Sequence, residues 1–147
     1  MRRITAIAVM SLFVLASSSP VLAQNPSFNK LDASISSTTL TVTFKLTGLG
    51  NATTVDVTLT GGADFTCTSH GHDTQITSAH QTINQTTTFN VGPKPGTTSG
   101  SVSFTVACPG NQTESGALFT NVFISGSAST GSTGSVQITN STGQIIL

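Results

Sequence analysis

Beyond residue 23 the chain contains no arginine, no tryptophan and no tyrosine. Charge is scarce too. The 124 residues from 24 to 147 carry Lys30, Lys45 and Lys94 against Asp32, Asp56, Asp64, Asp73 and Glu114, a net of 3 − 5 = −2 with histidine neutral. Without arginine there is no planar fork for phosphate or carboxylate. Without a basic stripe there is no footprint for nucleic acid, and no polybasic patch for a lipid surface. Without Trp or Tyr a sugar-stacking platform would fall to phenylalanine, with Phe28, Phe119 and Phe123 as the candidates for exposure. One Glu and four scattered Asp do not make the paired carboxylates of glycoside chemistry. No Gly-x-Ser-x-Gly elbow is present. Catalysis is therefore not expected, and no cofactor is implied.

Residues 1–23 have the pattern of a secretory signal peptide. Arg2 and Arg3 precede an apolar run, Ile4 to Ala16, and Val21-Leu22-Ala23 offers a small-residue cleavage site before Gln24. The run is shorter than the roughly 20 residues of a membrane span. No cysteine at the boundary suggests a lipid anchor, and Gln144-Ile145-Ile146-Leu147 shows no sorting pattern. The expectation is one secreted, extracellular domain over 24–147, with no membrane insertion after cleavage.

What is abundant is threonine, 26 residues of the 124. Low charge with high Ser/Thr/Gly can signal disorder, but disorder goes with few β-branched residues and high net charge. Thr instead suits a strand, packing its branched Cβ on the pleat while its hydroxyl meets water. Strict alternation follows. Leu40, Val42, Phe44 and Leu46 share one face against Thr41, Thr43, Lys45 and Thr47. Val55–Thr60 and Ala63–Thr68 alternate likewise, and Gly61-Gly62 between them reads as a hairpin turn. Residues 69–79 are polar and read as a loop. Strands are expected at 81–91, 102–108 and 118–125, with a terminal hairpin over 136–147. Gly92-Pro93-Lys94-Pro95-Gly96 is a strong break. No helical stripe of useful length occurs. Seven to nine short strands predict an all-β, two-sheet antiparallel β-sandwich of immunoglobulin-like type, with a small barrel as the alternative.

Segment 118–125 is apolar on both faces. Phe119 and Phe123 lie opposite Leu118, Val122 and Ile124. Either the strand is covered on both sides, or it is an edge that meets another copy or a surface polymer, because no lysine guards it.

Cys67 and Cys108 are the only cysteines, each in phase with apolar neighbours on an expected strand. An even count in an exported chain predicts a disulfide. A redox role lacks the C-x-x-C spacing and a cation or base beside either thiol. The run Gly48-Leu49-Gly50-Asn51, Val55–Thr60 and Phe65-Thr66-Cys67-Thr68 resembles a group of small secreted bacterial proteins of unassigned function. Their strands also end in Cys-Thr, and a second Cys follows some 40 residues on. The similarity spans about residues 40–147. It implies a disulfide-linked sandwich and no particular activity. This chain departs from it at Ser69-His70-Gly71-His72-Asp73, where those proteins have an Asn-Pro-Gly-Gly-Asn loop.

That departure is also the one cluster of potential ligands: His70, His72 and Asp73, with His80 further on. Two or three imidazoles would suit Zn or Cu. The copper-zinc superoxide dismutases use His-x-His on a similar sandwich, but their additional histidine ligands have no counterpart here. Solvated loop histidines are the simpler reading. Sequons at Asn51, Asn84, Asn111 and Asn140 read as turn-forming Asn beside Thr. The sequence thus leads to a secreted, non-catalytic sandwich acting as a cell-surface or extracellular-matrix module, binding an unknown protein, a surface polymer or itself. A small metal- or ligand-binding module on the His70/His72/His80 loop is the competing class.

Overall fold

Alternation of Val, Leu and Phe with Thr buries one face of each strand and leaves the other to water. The computed structural model describes residues 26–71, 73–92, 96–129 and 131–138. These residues form seven strands: β1 (Ser27–Ser36), β2 (Thr39–Thr47), β3 (Thr54–Thr68), β4 (Ile76–Asn90), β5 (Thr98–Thr105), β6 (Thr113–Ala128) and β7 (Gly131–Gln137). They form a three-stranded sheet, β1-β2-β5, and a four-stranded sheet, β4-β3-β6-β7. Every pairing is antiparallel. This is the expected two-sheet sandwich. In the constant-type immunoglobulin order the fourth strand sits beside the fifth; here it sits beside the third.

The core lies between the sheets. Leu40, Val42, Phe44 and Leu46 of β2 face Val55, Val57, Leu59, Ala63 and Phe65 of β3 and Phe119, Val122 and Ile124 of β6, all of them buried. Each such aliphatic or aromatic side chain contributes about 1.5–3 kcal/mol by leaving water. Phe44 stands edge-on to Phe28 at 6.0 Å and to Phe89 at 4.9 Å, so three rings run across the sandwich. Phe28 is accordingly half-buried rather than a free platform.

Several expectations are corrected. Gly61-Gly62 is not a hairpin turn, because β3 runs straight through both. The glycines answer to β6. A Cβ on Gly61 would lie 3.0 Å from Thr120 O and 3.1 Å from Asn121 O. The 69–79 loop is shorter than predicted: β4 begins at Ile76, so His80 is a strand residue. Its sequence is polar because an edge strand buries few residues. β1, weakly patterned, was not foreseen. At the C-terminal end β7 begins earlier than the expected hairpin, and residues 139–147 lie outside the described residues, as do residues 1–25 and the signal peptide predicted within them.

For segment 118–125 the structure decides between the two readings, against the edge. β6 is no edge; it pairs with β3 on one side and β7 on the other. Its two-faced apolar pattern comes from bulges. Thr60 pairs with Phe123 but Gly62 with Thr120, so two steps on β3 span three on β6. The same slip recurs between Asp64–Leu118 and Thr66–Ser115. Asn121 and Gly116 absorb the extra residues at φ 49 and 62. Each bulge reverses which parity faces inward. Phe119 is therefore fully buried on one side of Asn121, and Val122 and Ile124 on the other. Phe123 is half-buried on the outer face, and Leu118 is half-exposed there.

Candidate functional site

The fold brings Lys30, Asp32 and Lys45 together on the three-stranded sheet and an imidazole and a carboxylate together on the outer face of the four-stranded one. The β3–β4 ladder runs fifteen pairs without a slip, and it sets Asp64 opposite His80. His80 Nδ1 donates to Asp64 Oδ1 at 2.7 Å. The imidazole then lies across Gly62. A Cβ there would sit 3.1 Å from His80 Cε1, 3.7 Å from Nε2 and 3.2 Å from Thr120 Oγ1. Gly62 thus keeps open the floor between the His80 ring and the Thr120 hydroxyl. Asp64, Thr66, Ser78, His80, Gly116 and Leu118 surround an open depression of about 470 Å³.

The chemistry of this pair follows from its hydrogen bond. In the neutral imidazole, committing Nδ1–H to the carboxylate leaves a lone pair on Nε2, the orientation a metal-ligating histidine takes from an outer carboxylate. The two side chains are 60% and 55% exposed, so solvent screens their attraction.

The other predicted ligands are not brought to it. His70 Nε2 bonds Thr113 Oγ1 at 2.7 Å. Thr113 pairs with Thr68, four positions along β3 from Asp64, or about 13 Å at strand rise. Asp73 is exposed in the loop, and His72 lies outside the described residues. Among the described residues, no three His, Cys, Asp or Glu side chains are grouped to hold a metal ion. Asp64, Gly62 and Thr120 were missed as members of a site. Their signal is the cross-strand register, which a turn at Gly61-Gly62 would abolish.

The predicted bridge is present. Cys67 and Cys108 are joined, with Cα atoms 5.8 Å apart. Cys67 is buried near the end of β3. Cys108 is half-buried and lies past the end of β5 rather than within a strand. The bridge therefore ties the four-stranded sheet to the segment leaving the three-stranded one. That segment is held by two further side chains: Cys108 N donates to Glu114 Oε1 at 3.0 Å, and Ala107 N donates to Gln81 Oε1 at 3.3 Å. The Cys108 amide, then Glu114's own, hold the Glu114 carboxyl below its ordinary range.

Both outer faces are clad in hydroxyls. On the three-stranded sheet Thr39 bonds Thr105 at 2.9 Å and Thr41 bonds Ser103 at 3.0 Å. On the four-stranded sheet Thr58 bonds Thr86 at 2.9 Å and Thr66 bonds Ser115 at 2.8 Å. Asn51, Asn84 and Asn111 are exposed, and Asn140 lies outside the described residues. No family model, curated protein or solved structure matches this chain.

Proposed function

We propose that this is a secreted, non-catalytic β-sandwich serving as a cell-surface or extracellular-matrix structural and interaction module, with a protein or surface polymer as its partner. The observation that carries the reading is the pair of broad sheet faces whose Ser and Thr hydroxyls are bonded across strands. Such bonds hold their side chains in fixed positions, so a partner that hydrogen-bonds to them meets a pre-ordered surface. The oxidised Cys67–Cys108 bridge fits an extracellular compartment. Purified protein from residue 24 onward should sediment with cell-envelope or insoluble matrix fractions. Exchanging Thr41 and Thr43 for Lys should weaken that binding without loss of fold. A protein that stays in the supernatant with every envelope and polymer fraction would overturn the reading.

One observation favours the metal-binding alternative: Asp64 orients His80 as an outer carboxylate orients a ligating imidazole. Zinc or copper titration by calorimetry separates the two. A purposeful site would bind in the micromolar range or tighter, lose that affinity in His80→Ala, and raise the melting temperature by mass action. Weak binding unchanged by His80→Ala would leave the interaction reading in place.

A further inference from the structure

Among the described residues the sandwich has four edge strands, and they differ in how they are protected. β1 carries Lys30 and Asp32 and is bulged between Phe28 and Lys30. β7 is seven residues long, and its pairing with β6 slips beside Gly126. β5 has eight residues. β4 has fifteen, pairs with β3 without a single slip, and contains no Lys, Arg, Asp, Glu, Pro or Gly between Ile76 and Asn90. Bulges, charges, proline and shortness are the devices that keep an edge from pairing. Over Ile76–Thr88 β4 has none of them; only at its far end does β5 lie against it, with Thr98 Oγ1 donating to Asn90 O at 2.8 Å.

The composition of β4 also fits itself. An antiparallel partner related by a twofold axis at Ile83, the middle residue of the strand, places residue 83 + k opposite residue 83 − k. On the outer face Thr82 then meets Asn84, His80 meets Thr86, and Ser78 meets Thr88. These pairs all join hydrogen-bonding side chains, and no like charges oppose one another. On the other face Gln81 meets Gln85. Gln81 Oε1 already accepts from Ala107 N, which leaves its amide NH₂ to donate across the axis. Thr82, Asn84, Gln85 and Thr86 are exposed in the single chain, so this surface is open to a partner.

We infer that β4 is a self-association edge, pairing antiparallel with β4 of a second copy so that two four-stranded sheets become one of eight strands. This rests on the interaction-module reading and names one partner for it. An isologous contact of this kind closes as a dimer and leaves the hydroxyl faces free.

The test is sedimentation velocity on the oxidised protein from residue 24 onward, through the micromolar range. The parent should show a concentration-dependent dimer. Thr82→Lys with Asn84→Lys sets lysine against lysine twice across the axis, and should weaken the dimer by more than about tenfold. Thr82→Lys with Asn84→Glu sets lysine against glutamate in the same register, and should restore it. All three should share a melting temperature within a few degrees, because both positions are exposed. A parent that stays monomeric would overturn the inference, as would a double-lysine variant that still dimerises or a charge-paired variant that does not recover. Envelope binding is read separately. A monomeric parent that binds envelope fractions would remove the edge proposal alone. A parent that neither associates nor binds would remove both.

Discussion

Glycine in this protein serves close approach as much as turning. At Gly61 the backbone of β6 passes so near that an added methyl would meet two carbonyl oxygens and the Val122 Cα, all at 3.0–3.1 Å. Backbone cannot rotate aside as a side chain can. Gly61→Ala should therefore destabilise by about 1–3 kcal/mol, the usual cost of overpacking. Gly71→Ala, with nothing within 4 Å, is the control. Urea unfolding of both variants checks the difference. Glu114 makes a second residue-scale case. Its carboxyl is held low by the Cys108 amide, so the folded state binds a proton less readily than the unfolded chain. The resulting stabilisation is fully present above the ordinary carboxylate pKa and is lost as pH falls through the lower, folded value. Glu114→Gln should remove its part of the acid-side slope from a plot of melting temperature against pH, while leaving the neutral-to-alkaline side as it is in the parent.

Among the strands, β6 shows how a ladder can override a hydrophobic pattern. The bulges at Gly116 and Asn121 rotate each stretch of the strand so that Phe119, Val122 and Ile124 all reach the core, although their parities differ. Phe119→Lys should consequently unfold the protein, since it would strand a charge in a fully buried position. Leu118→Lys, on the half-exposed outer face, should change stability by no more than about 0.5 kcal/mol. Circular dichroism and urea melts of the two adjacent variants would establish the parity directly. Asn121 holds φ 49, a conformation costing a β-branched residue roughly 1–2 kcal/mol more than asparagine or glycine. Asn121→Val should therefore lower stability and Asn121→Gly should not.

The whole molecule is two sheets held by a shared apolar core and one covalent tie. Cys67 and Cys108 are 41 residues apart in sequence, and the loop-closure model assigns such a bridge ~4 kcal/mol. Total stability for a domain is typically about 5–15 kcal/mol. The Cys67→Ala/Cys108→Ala protein should therefore still fold, with up to that amount lost. Chemical denaturation of the two forms would measure it. Because the bridge fastens β3 to the segment between β5 and β6, its removal should also speed amide exchange at Ala107 and Cys108, whose N–H groups rest on Gln81 and Glu114.

By itself the sequence determined the β2 face of Leu40, Val42, Phe44 and Leu46, the core face of β3 and the partnership of the two cysteines. Period-2 burial is a local property, and two thiols that are the chain's only cysteines have few alternatives. It also determined what the surface would be made of, because Thr placed opposite Val has to face water. Tertiary structure decided the rest. Whether Gly61-Gly62 turns or runs on depends on which strand passes beside it. Whether Phe119 faces in or out depends on bulges in the β3–β6 ladder, since one inserted residue exchanges the two faces of a strand. His80 acquires Asp64 as a partner, and loses His70, only through the β3–β4 register. β4 becomes a long edge only because β3 lies on one side of it and, among the described residues, no strand of its own sheet on the other. Pairing of this kind joins residues far apart in sequence, and a local pattern carries no information about which distant strand will supply the neighbour.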